Sequence, residues 1–175
     1  PLSGNARHPV PGDRKEPLMT ITLDVRNESA RRAPCRRDML KRLAARVLAG
    51  EGVAGDVEVS VLFCDDPFIA SLNREYRNKR GPTDVLSFTQ DNSGTPEGGL
   101  TLGDIVISLE TVERFRNGDK AGMRDEVRLL FCHGLLHLLG HDHGNAAERR
   151  LMQGKQAEYL GASLEEAWHS KKGGC

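Results

Sequence analysis

No uninterrupted apolar run in this chain approaches the ~20 residues that a helix needs to cross a bilayer, so no membrane partner is expected. An excess of charge of one sign is also lacking: 25 Lys and Arg balance 25 Asp and Glu. Bulk electrostatics therefore drive no non-specific polyanion binding, and any nucleic-acid contact must use a local patch. Cysteine is scarce, and Cys35, Cys64, Cys132 and Cys175 include no C-x-x-C pair. That excludes a zinc ribbon and a thioredoxin-type redox motif. Nothing asks for a disulfide framework, so a cytoplasmic, reducing setting is expected. Residues 1–18 hold proline, glycine and charge but no apolar segment of the signal-peptide kind. They read as a disordered leader or an added, dispensable extension, because Met19 stands directly before the first strand-like run. The remainder, at 38% hydrophobic for the whole chain, suffices for one soluble domain with a real core, expected over residues 19–170 with a flexible tail over 171–175.

Along that domain the hydrophobic period changes repeatedly. Ile21, Leu23 and Val25 alternate with polar residues, the pattern of a half-buried strand. Met39, Leu40, Leu43, Val47 and Leu48 then recur at helical spacing over 36–49, with Gly50 and Gly52 as the stop. Arg36, Arg37, Lys41, Arg42 and Arg46 form that helix's solvated side. Val57, Val59, Val61 and Phe63 alternate again. Asp65-Asp66-Pro67 opens a helix carrying Ile69, Leu72 and Tyr76. Strands are expected over Thr83–Thr89 and Leu102–Leu109, separated by a mobile polar loop over 91–99, and a helical segment over Thr111–Asn117. A helix over about 125–139, with Asp125 and Glu126 in its first turn, is apolar nearly all round and must be buried. Asn145 with Glu148 forms a capping-box pattern for a helix to Leu160, stopped by Gly161, and Ser163 with Glu166 repeats it for a short last helix. The order β-α-β-α-β-β-α-α-α predicts an α+β fold: a single domain with a mixed, roughly four-stranded sheet packed with helices around the central buried one.

That central helix carries the chemistry. Residues 131–144 read Phe-Cys-His-Gly-Leu-Leu-His-Leu-Leu-Gly-His-Asp-His-Gly. His133 and His137 are four apart, which puts both imidazoles on one helix face. Gly140 can end the helix in a left-handed conformation and let the chain bring His143 to the same point. Three imidazoles with a fourth position open make a catalytic zinc site rather than a closed structural one, one metal per chain. Cys132 points away from this face and reads as core. The spacing H-x-x-x-H-x-x-G-x-x-H is similar to that of the metzincin zinc proteases, with one departure: Gly134 stands where they need a Glu as general base. The donor geometry survives and the peptidase base does not.

A second constellation precedes it. Arg74, Arg77, Lys79 and Arg80 cluster around a helix end, before Gly81-Pro82-Thr83-Asp84 leads into an extended segment. Cations there suit the helix dipole by themselves. Three blocks, Leu72–Phe88, Gly103-Asp104-Ile105-Val106-Ile107-Ser108 and His133–His143, resemble the YbeY family of metal-dependent endoribonucleases, in order and over roughly Thr20 to Glu166. Two positions depart from the family pattern: Arg80, where an acidic residue is usual, and Thr89, where Pro usually follows Phe88.

The resemblance implies zinc held by His133, His137 and His143, a functional Arg77, and a single-strand-preferring RNase that matures ribosomal RNA and serves ribosome quality control. RNA is then the partner, with ribosomal small-subunit proteins alongside and no DNA expected. Arg77 is the expected catalytic cation, binding the scissile phosphate in a bidentate fork, with Lys79 and Arg74 as further substrate contacts. The general base is open among Asp142, Asp84 and hydroxide supplied by the metal. Two rivals remain: a zinc metallopeptidase-like hydrolase, and a non-catalytic ribosome-associated factor with a structural zinc.

Overall fold

The computed structural model describes residues 20–90 and 99–168. The expected leader, most of the polar loop over 91–99, and the tail over 171–175 lie outside the described residues. The elements follow in the expected order: β1 (Ile21–Asn27), α1 (Arg37–Gly50), β2 (Val57–Cys64), α2 (Asp66–Arg77), β3 (Val85–Thr89), β4 (Leu100–Ser108), α3 (Leu109–Phe115), α4 (Lys120–Leu138) and α5 (Ala146–Leu160). The fold is α+β. Its four strands make one mixed sheet in the order β1-β2-β4-β3. β1 runs parallel to β2 and β2 parallel to β4, while β3 runs antiparallel to β4.

Strand alternation divides the apolar side chains between two cores. Leu23, Val59, Val61, Phe63, Ile105 and Ile107 join Leu40, Leu43 and Val47 of α1 and Val127, Leu130 and Leu135 of α4 in the larger one. Cys64, Leu86 and Val106 join Ile69 and Leu72 of α2 in the smaller one. Tyr76 departs from the stripe expected for α2. It is 61% exposed at the helix end, whereas Ile69 is fully buried. Gly103 in β4 has a φ of 130°, and a Cβ there would stand 2.0 Å from the Phe88 carbonyl oxygen. The Gly-Asp-Ile block is therefore set by how closely β3 lies against β4. Cys35, Cys64 and Cys132 are buried free thiols. Among the described residues no helix is long and apolar enough to cross a membrane.

Two further sequence expectations need correction. α4 starts at Lys120, five residues before the expected 125, because Lys120, Ala121 and Gly122 form a polar first turn that hydrophobic period does not reveal. Asp119 is its N-cap and accepts the Gly122 N–H at 2.7 Å. Glu126 is thus not a first-turn dipole partner. It lies 1% exposed in the helix body, and its Oε2 accepts from Arg116 Nε at 2.9 Å and Nη2 at 2.6 Å. The second correction concerns the chain after α5. Ser163 and Glu166 do form the side-chain bonds of a cap, with Ser163 Oγ donating to Glu166 at 2.7 Å and accepting the Glu166 N–H at 3.3 Å. Yet only a turn results. Among the described residues it is closed by the Ala167 N–H on the Ser163 carbonyl at 2.9 Å, and the Ala167 carbonyl accepts from Gln156 Nε2 at 2.7 Å.

The Arg116–Glu126 pair joins the end of α3 to α4, and removing Arg116 takes the guanidinium away from a buried carboxylate. Arg116→Ala is expected to cost about 3 kcal/mol in denaturant unfolding, and a second change, Glu126→Leu, to recover most of that loss. Additive losses in the double variant would show that the pair is not the source.

Candidate metal centre

α4 stops because Gly140 takes a φ of 90°. Its N–H bonds to the His137 carbonyl at 2.9 Å, and the His141 N–H reaches the Leu136 carbonyl at 3.0 Å, the paired bonds of a Schellman ending. The returning chain lays His143 beside the two helical histidines. Ring centroids are 4.6 Å apart for His133–His137, 5.3 Å for His133–His143 and 5.0 Å for His137–His143. One nitrogen from each ring lies within 4.8 Å of the others, and the His133 and His137 Nε2 atoms are 3.1 Å apart. Three nitrogens around a tetrahedral zinc sit about 3.3 Å apart, so the donor set fits a metal ion.

The protonation states suit the same role. His133 Nδ1 lies 3.1 Å from Gln156 Oε1. An amide oxygen can only accept, so Nδ1 carries the hydrogen and Nε2 presents a lone pair to the cluster. Burial pushes the His133 imidazole down to about 4, against the opposing Gln156 bond, with His137 and His143 adding to the depression. Burial also lowers His137, followed by the influence of His143. Both rings are thus neutral at pH 7. Gln156 itself is 1% exposed. Its amide ties the Ala167 carbonyl to the His133 ring, and so seats Trp168 with its ring 5.6 Å from that of His143 and 6.1 Å from that of His133.

The loop carrying His143 is held from below. His141 turns away from the cluster and places Nε2 2.8 Å from Glu51 Oε2. Glu51 Oε1 accepts from Lys155 Nζ at 2.8 Å and from the Tyr159 hydroxyl at 2.5 Å. One carboxylate therefore joins the end of α1, α5 and the ligand loop. Burial alone would raise its pKa, but the bonds from Lys155, Tyr159 and His141 outweigh this and bring it to about 2. Asp142 Oδ1 accepts the His143 N–H at 2.7 Å, fixing the last step of the loop.

The three histidines line one cleft of about 930 Å³ together with Arg77, Asp84, Asp142, Tyr76, Phe88, Gln156 and Trp168. Arg77 comes from the last residue of α2, where Asn78 caps the helix at a φ of 53°. The buried Asn73 donates Nδ2 to the Gly81 carbonyl at 2.9 Å and pins the loop that follows. Arg74, Lys79 and Arg80 are exposed and do not line the cleft. Asp84 is buried and its Oδ1 accepts from Thr83 Oγ1 and the Val85 N–H, each at 3.0 Å. At Gly134, a Cβ would stand 2.9 Å from both Ile105 Cγ2 and Ser87 Oγ. A glutamate side chain has no room there.

Sequence reading missed Gln156, Trp168 and Glu51. Gln156 had a signal: it interrupts the buried stripe of α5 between Met152 and Tyr159. Trp168 and Glu51 had none, since one lies in a turn without period and the other is an ordinary polar residue after a helix.

Comparison with known proteins gives a consistent result. The family model described as Endoribonuclease YbeY matches residues 24–163. A Pelotomaculum thermopropionicum protein named Endoribonuclease YbeY is 44% identical over 126 residues, covering 70% of this chain and 83% of its own. One of the same name from Thermobifida fusca is 41% identical over 157 residues, covering 83% and 98%. One from Geobacillus kaustophilus is 38% identical over 149 residues, covering 81% and 96%. The solution structure of a Thermotoga maritima protein superposes with a TM-score of 0.52 at 24% identity, over 88% of this chain and all of that one, a likeness of fold.

The Glu51 clamp has a pH signature. Because its folded pKa lies below the ordinary carboxylate value, its contribution is fully present above about 4.5 and is lost as pH falls towards about 2. The melting-temperature gap between the metal-free protein and Glu51→Gln is expected to be wide at pH 7 and to shrink progressively below pH 4.5. A gap of constant size across that range would mean that the carboxylate's charge is not what holds the loop.

Proposed function

The chain belongs to the Endoribonuclease YbeY family, and on that premise we propose that it is a zinc-dependent, single-strand-preferring endoribonuclease that acts in ribosomal RNA maturation and ribosome quality control. The observation that carries this reading is the convergence of three histidine nitrogens in the same cleft as Arg77. His133, His137 and His143 would hold one zinc ion per chain. When bound, zinc supplies Lewis acidity towards water and a phosphoryl oxygen at neutral pH. RNA is the partner, its single-stranded regions the substrate, with ribosomal small-subunit proteins alongside, in the cytoplasm.

The protein's own groups divide the remaining work. Arg77 stands on a helix end whose following loop is pinned by Asn73, and its planar guanidinium can meet a phosphate in a bidentate fork. It stabilises the negative charge that develops on the phosphoryl oxygens. Asp84 and Asp142 are the carboxylates of the cleft among the described residues, and the proton of the attacking water goes to one of them unless the metal itself supplies hydroxide. Lys79 and Arg74, exposed beside the cleft, contact the RNA backbone outside it and contribute less. The peptidase alternative has no support at Gly134, where the carboxylate it requires is absent and sterically barred. A purely structural zinc is disfavoured because the cluster faces an open cleft.

Two measurements test this. His137→Ala is expected to lose bound metal, assayed on the purified protein, and cleavage of a single-stranded RNA with it; full metal content in that variant would sink the ligand assignment. Arg77→Ala is expected to keep its metal and its melting temperature while losing about 100- to 1,000-fold in RNA cleavage, and Arg77→Lys to recover little, since a point charge cannot reproduce the planar fork. Cleavage by Arg77→Ala within a few-fold of the parent protein would reduce the arginine to a helix-end charge.

A further inference from the structure

We propose that Tyr76, braced by Phe88, is a stacking platform for an unpaired nucleobase next to the phosphate that Arg77 holds. This rests on the reading of the cleft as an RNA-cleaving site. Tyr76 is 61% exposed, although it lies on a helix with an apolar side available to it. Leaving that much aromatic surface in water forgoes burial energy that Ile69 on the same helix obtains in full. Phe68 and Phe115 are also exposed, at 42% and 48%, but neither lines the cleft. Tyr76 does, and so does Phe88.

The ring is also oriented in advance. Its centroid lies 5.0 Å from that of Phe88 at an interplanar angle of 68°, an edge-to-face pair. Phe88 is half-buried and packs against the smaller core, so the brace is itself fixed. Tyr76 immediately precedes Arg77. A cation for the backbone beside a ring for the base is the pairing by which single strands are bound, because every base has a π-face whatever its identity. In a duplex both faces of each base are covered by its neighbours, so the platform accepts only a base that has left the stack. Single-strand preference then has a physical origin in this side chain.

The test uses the metal-loaded full-length protein, a single-stranded RNA decamer, and quenching of the chain's one tryptophan, Trp168, read in rapid mixing before turnover. That ring lines the same cleft. Tyr76→Ala is expected to weaken binding of the decamer about 5- to 150-fold, the worth of one base–aromatic stack, and to raise KM more than it lowers kcat. Tyr76→Phe is expected to stay within about twofold of the parent, since it keeps the ring. A set of decamers with one abasic position moved along the strand should contain a member for which parent and Tyr76→Ala bind alike. If Tyr76→Ala binds every decamer as the parent does while the parent cleaves RNA, the platform is refuted and the nuclease reading stands. If the parent neither binds nor cleaves RNA, both fall. An equal loss for Tyr76→Ala on every abasic decamer also overturns the proposal, because it marks a structural effect without a base partner.

Discussion

At Gly134 the central helix lies so close to the sheet that even a methyl group would collide with Ile105 and Ser87. The geometry of the site depends on this approach. α4 can be buried among α1, α5 and the sheet because almost none of its surface needs water. A helix mounted in this way has little freedom to roll, so His133 and His137 are held at fixed bearings over the rim of β3. Phe88 of β3 and Arg77 at the end of α2 line the same cleft as the histidines. The close approach that bars the peptidase glutamate is also the one that mounts the helix carrying His133 and His137.

Most of this was legible in the chain. The three histidines stood out because helix period and a single glycine together constrain where they can go, and both are local properties. The element order followed from changes in hydrophobic period, which burial on one side or both imposes directly. What escaped was non-local. Glu126 looked like a dipole residue because the arginine that neutralises it lies ten positions earlier, beyond a turn. Ser163 and Glu166 form the cap that their spacing announces, yet among the described residues only a turn follows, and its Ala167 carbonyl accepts from Gln156 across the fold. Tyr76 kept the spacing of a buried stripe while its ring turned outward.

The run of histidines shows how such chemistry is sorted. His141 and His143 are chemically identical and two residues apart, yet one faces a carboxylate and the other faces imidazoles. The left-handed step at Gly140 decides which is which, since it sets the phase of everything after it. The Glu51 carboxylate then holds that phase. It bonds to His141 and leaves His143 the orientation in which its ring meets the other two.

The strand order carries a consequence for how the chain assembles as it is made. β4 lies between β2 and β3, although it is the last strand in the sequence. β1, α1 and β2 can therefore join early, but the inner edge of β2 stays unpaired until residues 100–108 have emerged, and β3 has no sheet neighbour in the meantime. An open edge of alternating valines is a template for mispairing with other chains. α2 lies between those strands in the sequence, and its apolar side, with Ile69 and Leu72, finds its partners Leu86 and Val106 only once β3 and β4 are in place. Closure by β4 completes the sheet, and only after it can α4 settle on the finished surface. The histidine-bearing wall of the cleft is thus laid down after the strands, on a sheet whose sequence is already complete.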